Sequence, residues 1–139
     1  MTRLVTLWVD VAPDPRLSSN DRGNLSHWAR AELVKAEQTR ALRLLKGQCE
    51  DEPVFSTPVS IAYKLRLARS PTGRASNRDV DNISGACKVW QDVLTIGRRG
   101  QPGLGLLVDD GPKWVRRVSY EIDLSAGPEY CAIEIEEME

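Results

Sequence analysis

Apolar and polar residues alternate most cleanly over Val59, Ile61, Tyr63, Leu65 and Leu67, with Ser60, Ala62, Lys64 and Arg66 between them. A period of two puts each set on its own face of an extended chain, so this stretch predicts a half-buried β-strand. The alternation returns at Val118, Tyr120, Ile122 and Leu124, and again at Cys131, Ile133 and Ile135 after a turn over 125–129. Leu4 to Val11 is a short apolar run rich in β-branched residues and predicts a buried strand. A briefer one is expected at Leu106 to Val108.

Helical spacing appears twice. From about Ser26 to Lys46 an apolar stripe of Trp28, Ala31, Leu42 and Leu45 predicts a helix, capped by Asn24 or Ser26 and ended by Gly47. The second helix carries Ala86, Cys87, Trp90, Val93 and Leu94 on one side. Pro13, Pro15, Ser18, Ser19, Asn20 and Gly23 mark one loop, and Gly97 to Gly105, with Pro102 inside it, another. The sum is α+β: a single domain over residues 1–139, a small mixed β-sheet with two helices. Strand order is not contained in the pattern.

Composition narrows the class. No apolar run reaches membrane-spanning length and no charged-then-apolar leader opens the chain, so a soluble, cytoplasmic protein is expected, with no membrane partner. Cys49, Cys87 and Cys131 are odd in number and lack ligand spacing, which reads as reduced thiols. One histidine and no CxxC argue against zinc.

The net charge of −1 hides segregation. Lys64, Arg66, Arg69, Arg74 and Arg78 lie in a stretch of fifteen residues without an acid. Arg98, Arg99, Lys113, Arg116 and Arg117 bracket Asp109-Asp110, whereas acids collect at 50–52 and in the tail. A basic face beside acidic ligands would attract phosphates locally without a basic pI. The alternative is a solvated strand face and loop.

Candidate chemistry sits in two acidic pairs. Asp79 and Asp81, with Asn82, stand where a basic loop enters the second helix, and Asp109-Asp110 ends an apolar run before Gly111-Pro112. One Asp at a helix start is ordinary capping, and Asp-Gly-Pro is ordinary turn chemistry. Together the pairs exceed both needs. A carboxylate-rich, imidazole-poor set suits hard cations such as Mg²⁺ or Mn²⁺, which drive in-line attack on phosphodiesters. An EF-hand fails, because its glycine position holds Ser84 and its closing glutamate position holds Trp90. His27 reads as a surface or capping residue, and Trp90 and Trp114 as core. The loop with Arg98 and Arg99 is open both to DNA contact and to plain mobility.

Arg78-Asp79-Val80-Asp81-Asn82, then Lys88, Asp92-Val93-Leu94 and Val108-Asp109-Asp110, resembles the signature of the RusA-type Holliday-junction resolvases, many of them phage-encoded. Asn20-Asp21-Arg22 and His27-Trp28 resemble that family's more variable front end. The resemblance implies a homodimeric, Mg²⁺-dependent endonuclease of DNA recombination and repair that nicks four-way junctions in a bacterial or phage-infected cell. By position Asp79, Asp81, Asp109 and Asp110 correspond to the metal-binding catalytic acids and Lys88 to the essential lysine. Arg22, Lys64, Arg66, Arg69, Arg74, Arg78 and Asn82 are then the expected DNA contacts. The family pattern places the lysine where this chain has Gly85, so Lys88 and Asp92 fall three residues late, as if Ile83-Ser84-Gly85 were inserted. If these three extend the helix, Lys88 is displaced by about 4.5 Å along the axis on nearly the same face. If they lengthen the loop, it keeps the usual place. A branched-DNA-binding protein without catalysis, or a nuclease for flaps or forks, would share these features.

Overall fold

The structure is a computed structural model that describes residues 2–17, 26–67, 80–98 and 100–138, the side chains of 80–82 excepted. Its elements in chain order are β1 (Leu4–Val9), a 3-10 turn (Pro15–Leu17), α1 (His27–Cys49), β2 (Val59–Arg66), α2 (Val80–Val93), β3 (Gly97–Arg98), β4 (Gln101–Pro102), β5 (Val115–Ile122) and β6 (Tyr130–Glu137). A four-stranded sheet has the order β1-β6-β2-β5, and β3-β4 form a separate hairpin. β6 runs antiparallel to both β1 and β2, whereas β2 and β5 are parallel, so the sheet is mixed. A parallel pair needs a crossover, and α2 provides it. The expected α+β domain with two helices is what the chain forms.

Alternation sets the faces. Ile61, Tyr63 and Leu65 of β2, Cys131, Ile133 and Ile135 of β6, and Val5, Leu7 and Val9 of β1 are buried beneath the helices. Full burial of a leucine or isoleucine contributes about 1.5–3 kcal/mol, so this row supplies much of the driving force. The other face carries Ser60, Ala62, Lys64 and Arg66, with Leu4 and Trp8 exposed at its edge.

α1 is capped by Ser26, whose hydroxyl accepts from the amide of Ala29 at 3.1 Å. It continues through Gly47 to Cys49. Its buried positions are Glu37, Ala41, Leu45 and Cys49, four apart. The expected stripe is only partly buried: Leu45 is core, but Trp28 is 79% exposed and Ala31 lies open. The face that does turn inward is marked by an acid, which a search for apolar periodicity passes over.

Glu37 is 3% exposed and fully engaged. Oε1 accepts from Arg40 Nε at 2.7 Å, and Oε2 accepts from Arg40 Nη2 at 2.9 Å, Trp90 Nε1 at 2.9 Å and the amide of Asp14 at 2.5 Å. One carboxylate thus pins α1 to α2 and to the segment after β1. Burial raises its pKa, but the hydrogen bonds from Arg40 and Trp90 outweigh that and hold it below the ordinary value.

Three expectations are corrected. The first strand stops at Val9. Leu106 to Val108 is not a strand: it makes a single parallel bridge, Thr95 to Leu107, while Leu106 and Leu107 are core. The supposed loop over 97–105 contains the β3-β4 hairpin. Gly97 has φ +89°, and a Cβ there would lie 2.6 Å from the Gly103 amide nitrogen, so only glycine fits. A Cβ on Gly103 would strike the carbonyl of Thr95. Among the described residues no helix is long and apolar enough to cross a membrane.

Candidate functional site

α2 buries Ile83, Ala86, Cys87, Trp90 and Val93, leaving another flank free for polar residues. Positions 81, 85, 88 and 92 recur at four, three and four residues and so share one stripe of the helix. Ile83, Ser84 and Gly85 are all helical. They lie inside α2 and not in the segment before it.

The second acidic pair is brought to this stripe by main-chain bonds. Beyond α2 the Leu104 amide donates to Val93 O at 2.8 Å, Leu106 N to Leu94 O at 3.0 Å, and Ile96 N to Leu107 O at 2.9 Å. The hairpin leaves and re-enters through this neck, and Val108 then delivers Asp109 and Asp110. Gly111 O accepts from the amides of Trp114 and Val115 at 3.0 and 2.9 Å, turning the chain into β5.

Lys88 Nζ donates to Asp92 Oδ1 at 3.1 Å, one helical turn away, and also to Asp110 Oδ2. The amide of Asp110 donates to Asp109 Oδ1 at 2.8 Å. Asp92 and Asp110 also share a hydrogen bond, and the pair titrates unequally. That bond from Asp92 is the main cause holding the Asp110 carboxyl down at about 2; burial opposes it and Lys88 assists. Burial is the main cause raising Asp92, followed by its bond with Asp110. Burial works against the Lys88 ammonium, yet its bonds to Asp110 and Asp92 raise its pKa. A cavity of about 120 Å³ opens beside them, lined by Asp92, Thr95, Arg98, Gln101, Asp109 and Asp110 among others.

Two acids pressed together with one lysine are an electrostatically strained set that a divalent cation would relieve. Asp92, Asp109 and Asp110 are oxygen donors of the kind Mg²⁺ takes. Among the described residues no three metal-binding side chains converge as a group. The carboxylates fit such an ion in chemistry.

Of the expected site residues, Lys88, Asp109 and Asp110 come together. Asp81 and Asn82 lie in the first turn of α2, with only their backbone described, and Arg22, Arg69, Arg74, Arg78 and Asp79 lie outside the described residues. Lys64 and Arg66 are elsewhere. Tyr63 points into the helix layer, where its hydroxyl meets Gln91 Oε1 at 3.2 Å, so its neighbours on β2 face the opposite side of the sheet. There Lys64 Nζ pairs with Glu134 Oε1 at 3.1 Å and Arg66 Nη2 with Asp123 Oδ2 at 2.9 Å. These two cations do not form one basic face with the acidic cluster. Sequence reasoning missed Asp92, Arg98 and Gln101 as part of the cavity. The four-residue spacing of Lys88 and Asp92 was a usable signal, while nothing in the sequence marked Gln101.

No protein-family model matches the chain, and no curated protein matches it.

Proposed function

We propose that the chain is a Mg²⁺-dependent, structure-specific endonuclease of the RusA type that nicks four-way DNA junctions, acting as a homodimer. The observation that carries this reading is the meeting of Lys88 and Asp92 from α2 with Asp109 and Asp110 from the far end of the hairpin neck, the three acids lining one cavity. These are four of the residues through which the sequence resembles that family, and chain separation alone gave no reason for the α2 pair to meet the Asp109-Asp110 pair.

Asp109 and Asp110, completed by Asp79 and Asp81, would hold the ion. When bound, it supplies charge neutralisation at the scissile phosphate and a water acidic enough to attack it. The chain's own residues do the rest. Asp110, ionised well below neutral pH, keeps a negative acceptor facing the cavity. With an ion held there, Lys88 would be free of Asp110 and its ammonium would serve the phosphate or leaving oxygen. Asp92 holds Lys88 from one turn behind. No covalent intermediate with the protein is required.

The test is incubation of the protein with labelled four-way, three-way and linear DNA, with Mg²⁺ and with EDTA. Paired nicks in the four-way substrate, lost in EDTA, are expected. Asp79→Asn and Asp81→Asn should abolish nicking with junction binding kept or tightened. Undiminished cleavage in both variants would end the metal-site assignment. The contact of Lys88 with Asp110 favours one second reading, a branched-DNA-binding protein whose lysine permanently replaces the cation. Junction binding without nicking in either Mg²⁺ or Mn²⁺ would select it.

A further inference from the structure

Between α1 and the β3-β4 hairpin runs a groove of about 750 Å³, much larger than the acidic cavity. It is lined by His27, Arg30, Lys35, Gln38, Leu42 and Pro102 among others, and its described lining contains no carboxylate. From His27 to Leu42 the helix rises about 22 Å, so the groove follows most of α1. Gln101 lines both this groove and the acidic cavity, and its amide donates to Gln38 on the groove wall. Gln101 is therefore a wall common to both hollows.

Taking its choice of ligand from the nuclease reading, we propose that this groove binds a single-stranded segment of nucleic acid leading to or from the acidic cavity. Charge is the first argument. Two cations, Arg30 and Lys35, without a described acid in the lining stand out on a chain whose net charge is −1, and a phosphate backbone is the polyanion they match. The second argument is the uncovered stripe of α1. Trp28, 79% exposed, stands at the border of the groove and outside its lining, one turn before Ala31, which is followed by Lys35, Thr39 and Leu42 on the same face. Aromatic, aliphatic and basic residues interleaved in this way offer stacking surface and phosphate contacts together. A single strand can use the apolar part because its bases are free, whereas a duplex hides them. Third, Arg30 lines the groove and is only half-buried, which sets a guanidinium group beside a passing phosphate. At the hairpin tip Gly100 has φ +81° with no atom of the described residues within 4 Å of a Cβ position, so a strand can pass close to the backbone. An acidic peptide would meet the same charges but has no reason to continue past Gln101 to a cluster of carboxylates.

The experiment measures fluorescence anisotropy of a labelled single-stranded oligonucleotide and a labelled four-way junction, both in EDTA, over a salt series. Arg30→Ala/Lys35→Ala should weaken oligonucleotide binding tenfold or more and reduce the log–log salt slope by about 0.7 per cation removed. Trp28→Ala should weaken it about fivefold or more with the slope unchanged, since stacking releases no counterions. Arg43→Ala, an exposed cation of α1 outside the groove, should do neither. Lys35→Glu, on the exposed helix surface, should reproduce the loss if the double variant does not fold. Wild-type binding by the groove variants, or an equal loss in Arg43→Ala, overturns the proposal. Nicking of the junction in Mg²⁺ is followed in parallel. Normal nicking with unaltered binding in the groove variants removes the groove and leaves the nuclease. Groove-dependent binding without nicking by the wild type removes the nuclease and leaves the groove.

Discussion

Glu37 and Asp110 both reach α2, one through Trp90 and the other through Lys88, and the chain treats them in opposite ways. Glu37 is 3% exposed and meets only donors: two guanidinium nitrogens, an indole and an amide. Asp110 faces Asp92, and the two acids share one lysine at the rim of an open cavity. The first carboxylate is satisfied in a single arrangement and serves the fold. The second is set among groups that cannot all be satisfied at once, which is how sites that bind or react are usually built. Burial and charge alone therefore do not mark a functional acid; the sign of its neighbours does.

The comparison breaks most visibly at Glu37. Glu37→Ala leaves the Arg40 guanidinium and the Trp90 N–H without their acceptor, and a loss of about 3–5 kcal/mol in urea unfolding is expected. A loss below about 1 kcal/mol would mean that water replaces the carboxylate at no cost. Asp110→Asn should do the reverse. Nicking should fall at least 100-fold, about 2.7 kcal/mol in barrier, while the melting temperature stays level or rises because a like-charge contact has been removed. A third comparison uses lysines: under saturating DNA, Lys88→Ala should lose about tenfold or more in nicking rate and Lys113→Ala should not. Equal, modest losses would reduce Lys88 to a DNA contact.

The smallest effect is in the pH profile. Glu37 has a depressed pKa, so its contribution is present above the ordinary 4.5 and is lost as pH falls through the folded value. Asp92 has a raised pKa, so its contribution is complete below the ordinary 3.8 and is lost as pH rises through the folded value. Glu37→Gln should therefore flatten the acid limb of stability. Asp92→Asn should add stability at pH 7, by less than about 1 kcal/mol because the pair is partly exposed and screened, and nothing at pH 3. A gain that persists at pH 3 would assign the effect to packing.

The residues legible in the sequence were those whose period the environment does not disturb. β2 and β6 alternate because one face is core and the other open, and α2 keeps its apolar side because Ile83, Ala86, Cys87 and Trp90 all pack inward. α1 misled because both of its sides carry apolar residues: Trp28 and Ala31 look outward, and the inward row is anchored by a glutamate. At the site, Lys88, Asp109 and Asp110 could be singled out from residue type and spacing. Their meeting depends on hydrogen bonds between residues 93–96 and 104–107, which involve only backbone and leave no trace in side-chain identity. Lys64 and Arg66 failed to join them for a simpler reason: a strand's polar face lies opposite its buried one, and α2 lies over the buried one.

The neck beneath the hairpin has a consequence for how this chain can vary. Leu104 to Val93, Gly105 to Thr95, and Leu106 to Leu94 close the excursion before it reaches the carboxylates. Whatever happens beyond Ile96 and before Gly103 is thereby insulated from the spacing of Asp92 and Asp110. The tip at Gly100 is thus a place where residues could be added, deleted or exchanged for another recognition loop without recalibrating the acids. The loop tip and the acidic cluster can then change at separate rates in the same molecule.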